Sequence, residues 1–211
     1  MRLTLARMLT LIGLPLAVCG CSQFAMGPNV EGTVALEPAE PPPPCPVSGK
    51  PANLLVRIVR ADGPVYFCCA ECISRFEQDP QGYRDLVEMQ RQVLSARPRV
   101  QVTCPINGDP VLRDRYTDLF GERVYFCTSC DTCKNLYEAD PERYAGALAA
   151  SYTYQTRCPV TGRKVDPRQS VALAQGGPYV YFCSSRCKDI YEAAPARYTD
   201  NLMVQGVNPN P

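Results

Sequence analysis

Apolar residues near the end of the chain change from an alternating pattern to a helical one. Val171 and Leu173 stand two residues apart, and the run Tyr179-Val180-Tyr181-Phe182 has strong β propensity. Beyond that run, Cys187 and Tyr191 are four residues apart, which is the spacing of one helical face. This pattern predicts a β-hairpin followed by a short helix.

The same order of residues occurs three times. Each copy starts with a Cys-Pro-x-x-Gly motif at Cys45, Cys104 or Cys158 and continues through a variable stretch to Val-Tyr-Phe-Cys. A further cysteine follows at the predicted helix start, with an aromatic residue four positions later. Because proline and glycine favour tight turns, the first motif is predicted to form a knuckle. Ser184 and Ser185 offer an N-cap to the helix of the third copy.

Each copy is small for a folding unit. The shared pattern fills about 40 residues, and units of this size usually need a metal, disulfides or a partner to fold. Aromatic residues cluster beside the cysteines, which predicts several small cores instead of one large core. Cysteines at a repeated spacing suit thiolate ligands, and soft thiolates select soft or borderline metals such as Cu(I) and Zn(II). The sequence therefore predicts thiolate metal sites.

This combination of knuckle, strand end, helix cysteine and Pro-x-x-Tyr tail resembles the TRASH and YHS families of small metal-associated domains. The resemblance implies an α+β fold of three small treble-clef-like units, each made of a knuckle, a β-hairpin and a short helix, joined by helical connectors. It also implies metal handling in the cell envelope. It covers residues 45–85 (repeat 1), 104–146 (repeat 2) and 158–202 (repeat 3).

Two connectors separate the repeats, at residues 86–103 and 147–157. Helices are predicted at residues 84–95, where apolar residues recur at helical spacing, and at residues 145–150, which are rich in alanine. Both helices are expected to pack the repeats together. The apolar positions of the first helix are Leu86, Met89, Val93 and Leu94.

Three thiols per repeat are shared by all copies. Many four-ligand relatives carry another cysteine three residues after the first, but here Ser48, Asn107 and Thr161 occupy that position. A three-thiolate site suits trigonal Cu(I), or Zn(II) with one position open to water or an external ligand. We therefore expect up to three Zn(II) or Cu(I) ions. The candidate ligands are Cys45, Cys68 and Cys72 in repeat 1, Cys104, Cys127, Cys130 and Cys133 in repeat 2, and Cys158, Cys183 and Cys187 in repeat 3.

Two cysteines exceed the shared pattern, Cys69 in repeat 1 and Cys130 in repeat 2. In repeat 2, either Cys127 or Cys130 could be the middle ligand. Each surplus thiol is open to three interpretations: a fourth metal ligand, redox or intermolecular pairing, or no special role. Adjacent cysteines such as Cys68 and Cys69 rarely bind one ion together, which weighs against the first interpretation for Cys69.

Composition excludes several classes of function. The formal net charge is +1, so no basic field indicates nucleic-acid binding. The chain contains no histidine, which excludes His-based zinc sites, histidine general bases and the histidine-dependent hydrolases. No nucleophile dyad or nucleotide-binding loop is visible, so we do not expect an enzyme.

The N-terminus has the layout of an export signal. Arg2 and Arg7 precede an apolar run at residues 8–18, which is too short to span a bilayer comfortably. The Gly20-Cys21 junction resembles a bacterial lipoprotein signal, which implies a signal peptide at residues 1–21 and a lipid on Cys21 as the membrane anchor. Cleavage before Cys19, plain secretion and a retained anchor helix stay as alternatives.

If the host has two membranes, Ser22 after Cys21 resembles the outer-membrane address of bacterial lipoproteins, which implies the periplasmic face of the outer membrane. Residues 22–44 are rich in proline near their end and are predicted to be a semi-rigid tether. Residues 203–211 are predicted to be a disordered tail.

Three functions fit these observations. The leading hypothesis is a lipid-anchored envelope protein that sequesters Cu(I) or Zn(II), or transfers it to an envelope transport component. The second is an adaptor in which zinc only folds each repeat and the surface binds protein partners. The third is a thiol-disulfide protein, since exported cysteines often oxidise.

Overall fold

The computed structural model describes residues 34–119, 121–127 and 131–210. Cys21 and Cys130, two of the candidate site residues, lie outside them. Within these ranges the fold is α+β, as predicted, with six α-helices and four small two-stranded antiparallel sheets. The strands are β1 (Asn53–Arg60), β2 (Gly63–Phe67), β3 (Val100–Gln101), β4 (Tyr116–Leu119), β5 (Glu122–Tyr125), β6 (Tyr152–Thr153), β7 (Asp166–Ala172) and β8 (Tyr179–Phe182). The helices are α1 (Ala70–Gln78), α2 (Arg84–Ser95), α3 (Asp131–Ala139), α4 (Ala145–Ala150), α5 (Ser185–Ala193) and α6 (Thr199–Met203).

The three repeats share one order of elements. Each has a knuckle, a hairpin (β1–β2, β4–β5 or β7–β8), a helix (α1, α3 or α5), a 3-10 turn and a second helix (α2, α4 or α6). The predicted N-cap of α5 is confirmed, since Ser184 Oγ accepts a hydrogen bond from the Cys187 amide at 3.3 Å. Among the described residues, no helix is long and apolar enough to cross a bilayer.

Each repeat has its own small core, as the clustering of aromatic residues predicted. Three aromatic rings contact one another in sequence from the strand end through the helix to the tail of the pattern, in edge-on or tilted geometry, with neighbouring centroids 5.0–6.2 Å apart. The cysteines of the knuckle and of the helix are buried among these rings. The ring triplets are Phe67, Phe76 and Tyr83 in repeat 1, Phe126, Tyr137 and Tyr144 in repeat 2, and Phe182, Tyr191 and Tyr198 in repeat 3.

The helices predicted at residues 84–95 and 145–150 begin and end at those residues, but they are the second helices of repeats 1 and 2, equivalent to α6 in repeat 3. Helix α2 also turns a different face inward. Val87, Gln90 and Leu94 are its buried residues. Three of the four apolar positions on which the prediction rested remain exposed, namely Leu86, Met89 and Val93. Helix α2 faces inward with Gln90 because the amide of this residue forms hydrogen bonds with buried backbone groups of Tyr66 and with Pro44 O.

Every repeat contacts both of the others. Helix α4 lies across the turn of the β1–β2 hairpin, where Gly146 packs against the backbone of Ala61. The two connectors pair with each other through β3 and β6. Val102 of the first connector forms a buried cluster with Val165 and Tyr181 of repeat 3, and the Arg113 guanidinium of repeat 2 donates a hydrogen bond to Val165 O. The small cores are therefore joined by a second set of apolar contacts.

The end of the chain packs against repeat 1. Val207 is buried in the core of repeat 3, and Leu54 N donates a hydrogen bond to Gly206 O at 2.9 Å. The side chain of Asn53 both donates to and accepts from the backbone of Asn208, at 2.9 and 3.1 Å. Residues 203–208, which we expected to belong to a disordered tail, instead complete the contact between repeats 3 and 1, because Val207 offers apolar surface that both repeats help to cover.

Residues 34–41 of the proline-rich segment lie against the body of the protein. Asn201 Nδ2 donates to Val34 O at 2.7 Å, and Ala39 N donates to Val204 O at 3.2 Å. The buried guanidinium of Arg97 donates to two carbonyls of the same segment, Glu40 O and Pro41 O. Hydrogen bonds from the body of the protein to the backbone of this segment thus fix it in place, which a free tether would lack.

Candidate metal centres

The knuckle has one geometry in all three repeats. The amide of the first cysteine donates to the carbonyl five residues later at 2.7 Å, and the glycine amide donates back to the cysteine carbonyl at 2.8–2.9 Å. The glycines Gly49, Gly108 and Gly162 have φ between 72° and 80°, a region that favours glycine. These bonds fix the backbone of Cys45, Cys104 and Cys158 beside the strand end.

The strand end and the helix bring two further sulfurs to each knuckle. In every repeat three cysteine sulfurs lie within 4.8 Å of one another. The repeated cysteine spacing of the sequence therefore corresponds to three compact groups of sulfurs in space. The groups are Cys45, Cys68 and Cys72; Cys104, Cys127 and Cys133; and Cys158, Cys183 and Cys187.

The sulfur spacing fits thiolate coordination. The sulfurs of the strand-end and helix cysteines are 3.5 Å apart in repeat 1, 3.7 Å in repeat 2 and 3.6 Å in repeat 3. Metal–sulfur bonds of about 2.3 Å place neighbouring sulfurs about 3.8 Å apart in a tetrahedral site and about 4.0 Å apart in a trigonal one. The donor chemistry and the spacing thus suit Zn(II) and Cu(I), and three groups allow up to three ions.

A polar side chain supports the middle sulfur of each group. Ser48 Oγ lies 3.2 Å from Cys68 Sγ, and Thr161 Oγ1 lies 3.2 Å from Cys183 Sγ. Asn107 Nδ2 donates to Cys127 Sγ at 3.4 Å. The sequence analysis gave no role to these three residues. In the structure each is positioned to donate a hydrogen bond to a thiolate, which has no proton of its own to offer.

A buried glutamine ties the strand end to the knuckle in every repeat, and the sequence analysis missed it. In repeat 3, Gln155 Oε1 accepts from Tyr181 N at 2.8 Å, while its Nε2 donates to Tyr181 O at 2.7 Å and to Arg157 O at 3.2 Å. The amide therefore replaces a strand residue against Tyr181 and also bonds the carbonyl that immediately precedes the knuckle cysteine.

The same glutamine contacts recur in the other repeats. Gln101 bonds both backbone groups of Tyr125 at 2.8 Å, and also the carbonyl before Cys104. Gln90 bonds those of Tyr66 at 2.8–2.9 Å and the carbonyl before Cys45. Gln101 and Gln155 stand three residues before their knuckle cysteines, so this repeated spacing was the available sequence signal. Gln90 comes from α2, where no local spacing reveals it.

The knuckle and helix thiols of repeat 1 differ in acidity. In repeat 1, burial opposes ionisation of Cys45, but hydrogen bonds from Ser48 and nearby backbone amides lower its pKa to about 7. Burial, together with Cys68 and Cys69, raises the pKa of Cys72 to about 12. Since a metal ligand must be a thiolate, binding of an ion has to displace the proton of the helix cysteine.

The helix cysteine has a raised pKa in the other repeats too, whereas the thiol with a lowered pKa in repeat 3 is the middle cysteine. Burial opposes ionisation of Cys183, yet hydrogen bonds from Thr161, Cys187 and Cys158 lower its pKa. Burial raises the pKa of Cys187 to about 11, and burial likewise raises the pKa of Cys133 well above the usual range of a thiol. Each repeat therefore contains a helix cysteine that stays protonated until a cation replaces the proton.

The sites differ in access from solvent. All three sulfurs of repeat 2 belong to buried residues, whereas the middle cysteine is partly exposed in repeats 1 and 3. Cys127 is the middle member of the group in repeat 2, and the alternative, Cys130, lies outside the described residues. The surplus Cys69 is partly exposed, and its hydrogen bond with Glu71 raises its pKa.

Comparisons of the chain with protein-family models, with curated proteins and with solved structures return no match.

Proposed function

We propose that this chain is an exported, lipid-anchored protein that binds Cu(I) or Zn(II) through three thiolate sites and sequesters or transfers the ion in the cell envelope. The observation that carries the proposal is the set of three sulfur groups, each with three thiols and a hydrogen-bond donor where a fourth thiol would stand.

The incomplete ligand set favours handling of the ion over scaffolding. Structural zinc sites are nearly always closed by four protein ligands. Here Ser48, Asn107 and Thr161 form hydrogen bonds with the middle sulfur, and among the described residues no group includes a fourth cysteine, so a fourth coordination position is left to water or to a ligand of another molecule. In repeats 1 and 3 the middle cysteine is also partly exposed, which gives such a ligand access.

Placement in the envelope rests on the sequence. The basic and apolar order of residues 2–18 and the Gly20-Cys21 junction support export and lipidation. The resemblance of the three repeats to TRASH and YHS domains supports metal handling there. An envelope protein that donates or accepts the ion is the partner we expect.

A zinc-stabilised adaptor is the second candidate, and burial of the ligands favours it. The knuckle and helix cysteines are part of the small cores and are at most 6 % exposed. An ion held there would stabilise each repeat whether or not it was ever exchanged, because metal binding contributes directly to folding of such units.

The test uses the chain beginning after Cys21, purified without air. We would measure bound metal and free thiols on one sample and then challenge the protein with Cu(I) under a competing chelator. We expect about three ions, because the structure holds three sulfur groups. Uptake or exchange of Cu(I) supports transfer, and inert zinc supports the adaptor. Oxidised thiols without metal would overturn both and favour the thiol-disulfide alternative.

Substitution of one knuckle cysteine sharpens this test. Cys158→Ser removes the sulfur that is 0 % exposed at the centre of repeat 3. We expect metal content to fall by one ion while the other two groups, which share no sulfur with it, keep theirs. Unchanged metal content would contradict a site at Cys158.

A further inference from the structure

Repeat 1 contains four sulfurs at short distances, where the shared pattern has three. Cys69 Sγ lies 3.7 Å from Cys68 Sγ and 3.7 Å from Cys72 Sγ, and those two sulfurs are 3.5 Å apart. Cys68, Cys69 and Cys72 therefore form an almost equilateral triangle with edges of 3.5–3.7 Å, close to the sulfur spacing around one ion. Contrary to the expectation from their adjacency, Cys68 and Cys69 thus have a spacing that suits a shared ion.

Cys69 does not complete a four-coordinate site with the first group. A tetrahedral site requires all four sulfurs to be mutual neighbours at about 3.8 Å. Cys45, Cys68 and Cys72 lie within 4.8 Å of one another, and Cys69 is not part of that group. The short sulfur contacts of Cys69 run to Cys68 and Cys72, at 3.7 Å each, and the group around Cys45 does not include Cys69. The two triangles share only the Cys68–Cys72 edge.

The second triangle lies on the more open side of the first. Cys45 is 1 % exposed, whereas Cys69, which occupies the N-cap position of helix α1, is partly exposed. If an ion bound to Cys68 and Cys72 changes its third ligand from Cys45 to Cys69, the centre of the sulfur triangle moves away from the core.

We infer that Cys69 gives repeat 1 an outer metal position through which this repeat loads and releases its ion, an inference that rests on the proposed function. In the step, the Cys69 thiol gives up its proton as its sulfur bonds the ion. The bond from Cys45 breaks, and Cys45 takes up one proton in exchange. Cys68 and Cys72 stay bound throughout, and no electron is transferred. The outer position then presents the ion to a soft ligand of an acceptor.

Repeat 3 supplies a matched comparison within the same chain. Ser184 stands where repeat 1 has Cys69, directly after the strand-end cysteine, and its hydroxyl caps α5. Cys69 makes no side-chain cap bond to α1. Serine is therefore compatible with this position and offers a better helix cap than cysteine, so Cys69→Ser is expected to fold.

The experiment measures release of Cu(I) from the protein as purified from cells in detergent. The loaded protein is mixed without air with bathocuproine disulfonate, and the chelator complex is followed by its colour. We expect one ion of the loaded wild-type protein to leave faster than the rest. Cys69→Ser should slow that ion at least about tenfold, because it removes a neighbouring thiol that acts within the molecule. Ser184→Cys should accelerate the ion of repeat 3 in the same way.

Bound copper is counted on each sample before release. Equal copper content of wild type and Cys69→Ser, with loss of the fast phase in the variant alone, supports the outer position. Equal release rates at equal copper content overturn it, as does an unchanged rate in Ser184→Cys. One ion fewer in Cys69→Ser also overturns it, because both triangles would then be filled at once as a static cluster. Absence of bound Cu(I) from the wild type would instead show that the proposed function has failed.

Discussion

At the scale of single residues, the side chain three positions after each knuckle cysteine sets the properties of the middle sulfur. A hydrogen bond to a charged group contributes about 1.5–3 kcal/mol. The middle cysteine therefore gains this stabilisation as a thiolate and not as a neutral thiol. Ser48 and Thr161 offer a hydroxyl at 3.2 Å, and Asn107 offers an amide at 3.4 Å.

Thr161→Val tests this support in repeat 3. The substitution keeps the shape of the side chain and removes the hydroxyl that lies 3.2 Å from Cys183 Sγ. We expect one of the bound ions to be held about tenfold more weakly, because Cys183 is partly exposed and water replaces part of the lost bond. The measurement is a competition titration with a metal chelator.

The control for this change is Thr161→Ser, which restores the hydroxyl in the form that repeat 1 already uses at Ser48. Its affinity should match that of the wild type. Equal weakening in the valine and serine variants would mean that packing of the methyl group matters and the hydrogen bond does not.

At the scale of elements, the buried glutamines replace a missing strand partner. The backbone of Tyr66, Tyr125 and Tyr181 would otherwise lie unpaired inside the protein, at a cost of about 1–3 kcal/mol per buried group. Each glutamine satisfies both groups of its tyrosine and fixes the carbonyl before the knuckle cysteine. One amide thus connects two of the three segments that carry ligands.

Gln90→Leu should destabilise the metal-loaded protein by about 2–4 kcal/mol, because it leaves a buried amide and two buried carbonyls without partners. The measurement is the midpoint of urea unfolding. Gln92→Leu is the control, since Gln92 belongs to the same helix and is exposed. It should change the free energy of unfolding by less than about 0.5 kcal/mol. A similar loss in both variants would contradict the role of the Gln90 amide.

Patterns that act over a few residues were predicted well, and contacts that depend on the tertiary fold were not. The knuckle, the strand-end run and the Cys187–Tyr191 spacing specify local turns, strands and helices, so the three sulfur groups followed from them. The inward face of α2 did not follow, because the polar Gln90 is drawn inside by backbone groups of repeat 1. The packing of Val207 was equally hidden, since its partners belong to two different repeats.

At the scale of the whole molecule, the repeats are held together at places where backbones approach closely. A Cβ atom added to Gly146 would lie 2.6 Å from Ala61 O and 3.2 Å from Ala61 C. Those atoms are backbone and cannot rotate away. Helix α4 of repeat 2 can therefore lie on the β1–β2 hairpin of repeat 1 only with glycine at this position.

Gly146→Ala is expected to destabilise the protein, although alanine favours a helix over glycine by about 1 kcal/mol. The clash with Ala61 should outweigh that gain, so that the free energy of unfolding falls by about 1–3 kcal/mol in total. The measurement is urea unfolding of the metal-loaded chain. Bound metal should stay unchanged, because no ligand lies at this contact. Ala147→Gly, at an exposed position of the same helix, calibrates the helix term. A stabilised Gly146→Ala protein would contradict the close approach of the two repeats.

The position of each buried glutamine in the sequence determines where the chain can be cut into fragments that each contain a complete repeat. Gln101 and Gln155 precede the knuckle cysteines of their repeats. A fragment that starts at Cys104 or Cys158 therefore lacks the glutamine that binds its strand end. A fragment of repeat 2 has to start by Val100, and one of repeat 3 by Tyr154. Repeat 1 depends on Gln90 and can be transplanted only with the whole of α2 attached. Shuffled or truncated variants should be cut at these glutamines and not at the cysteine motif that marks the repeats in the sequence.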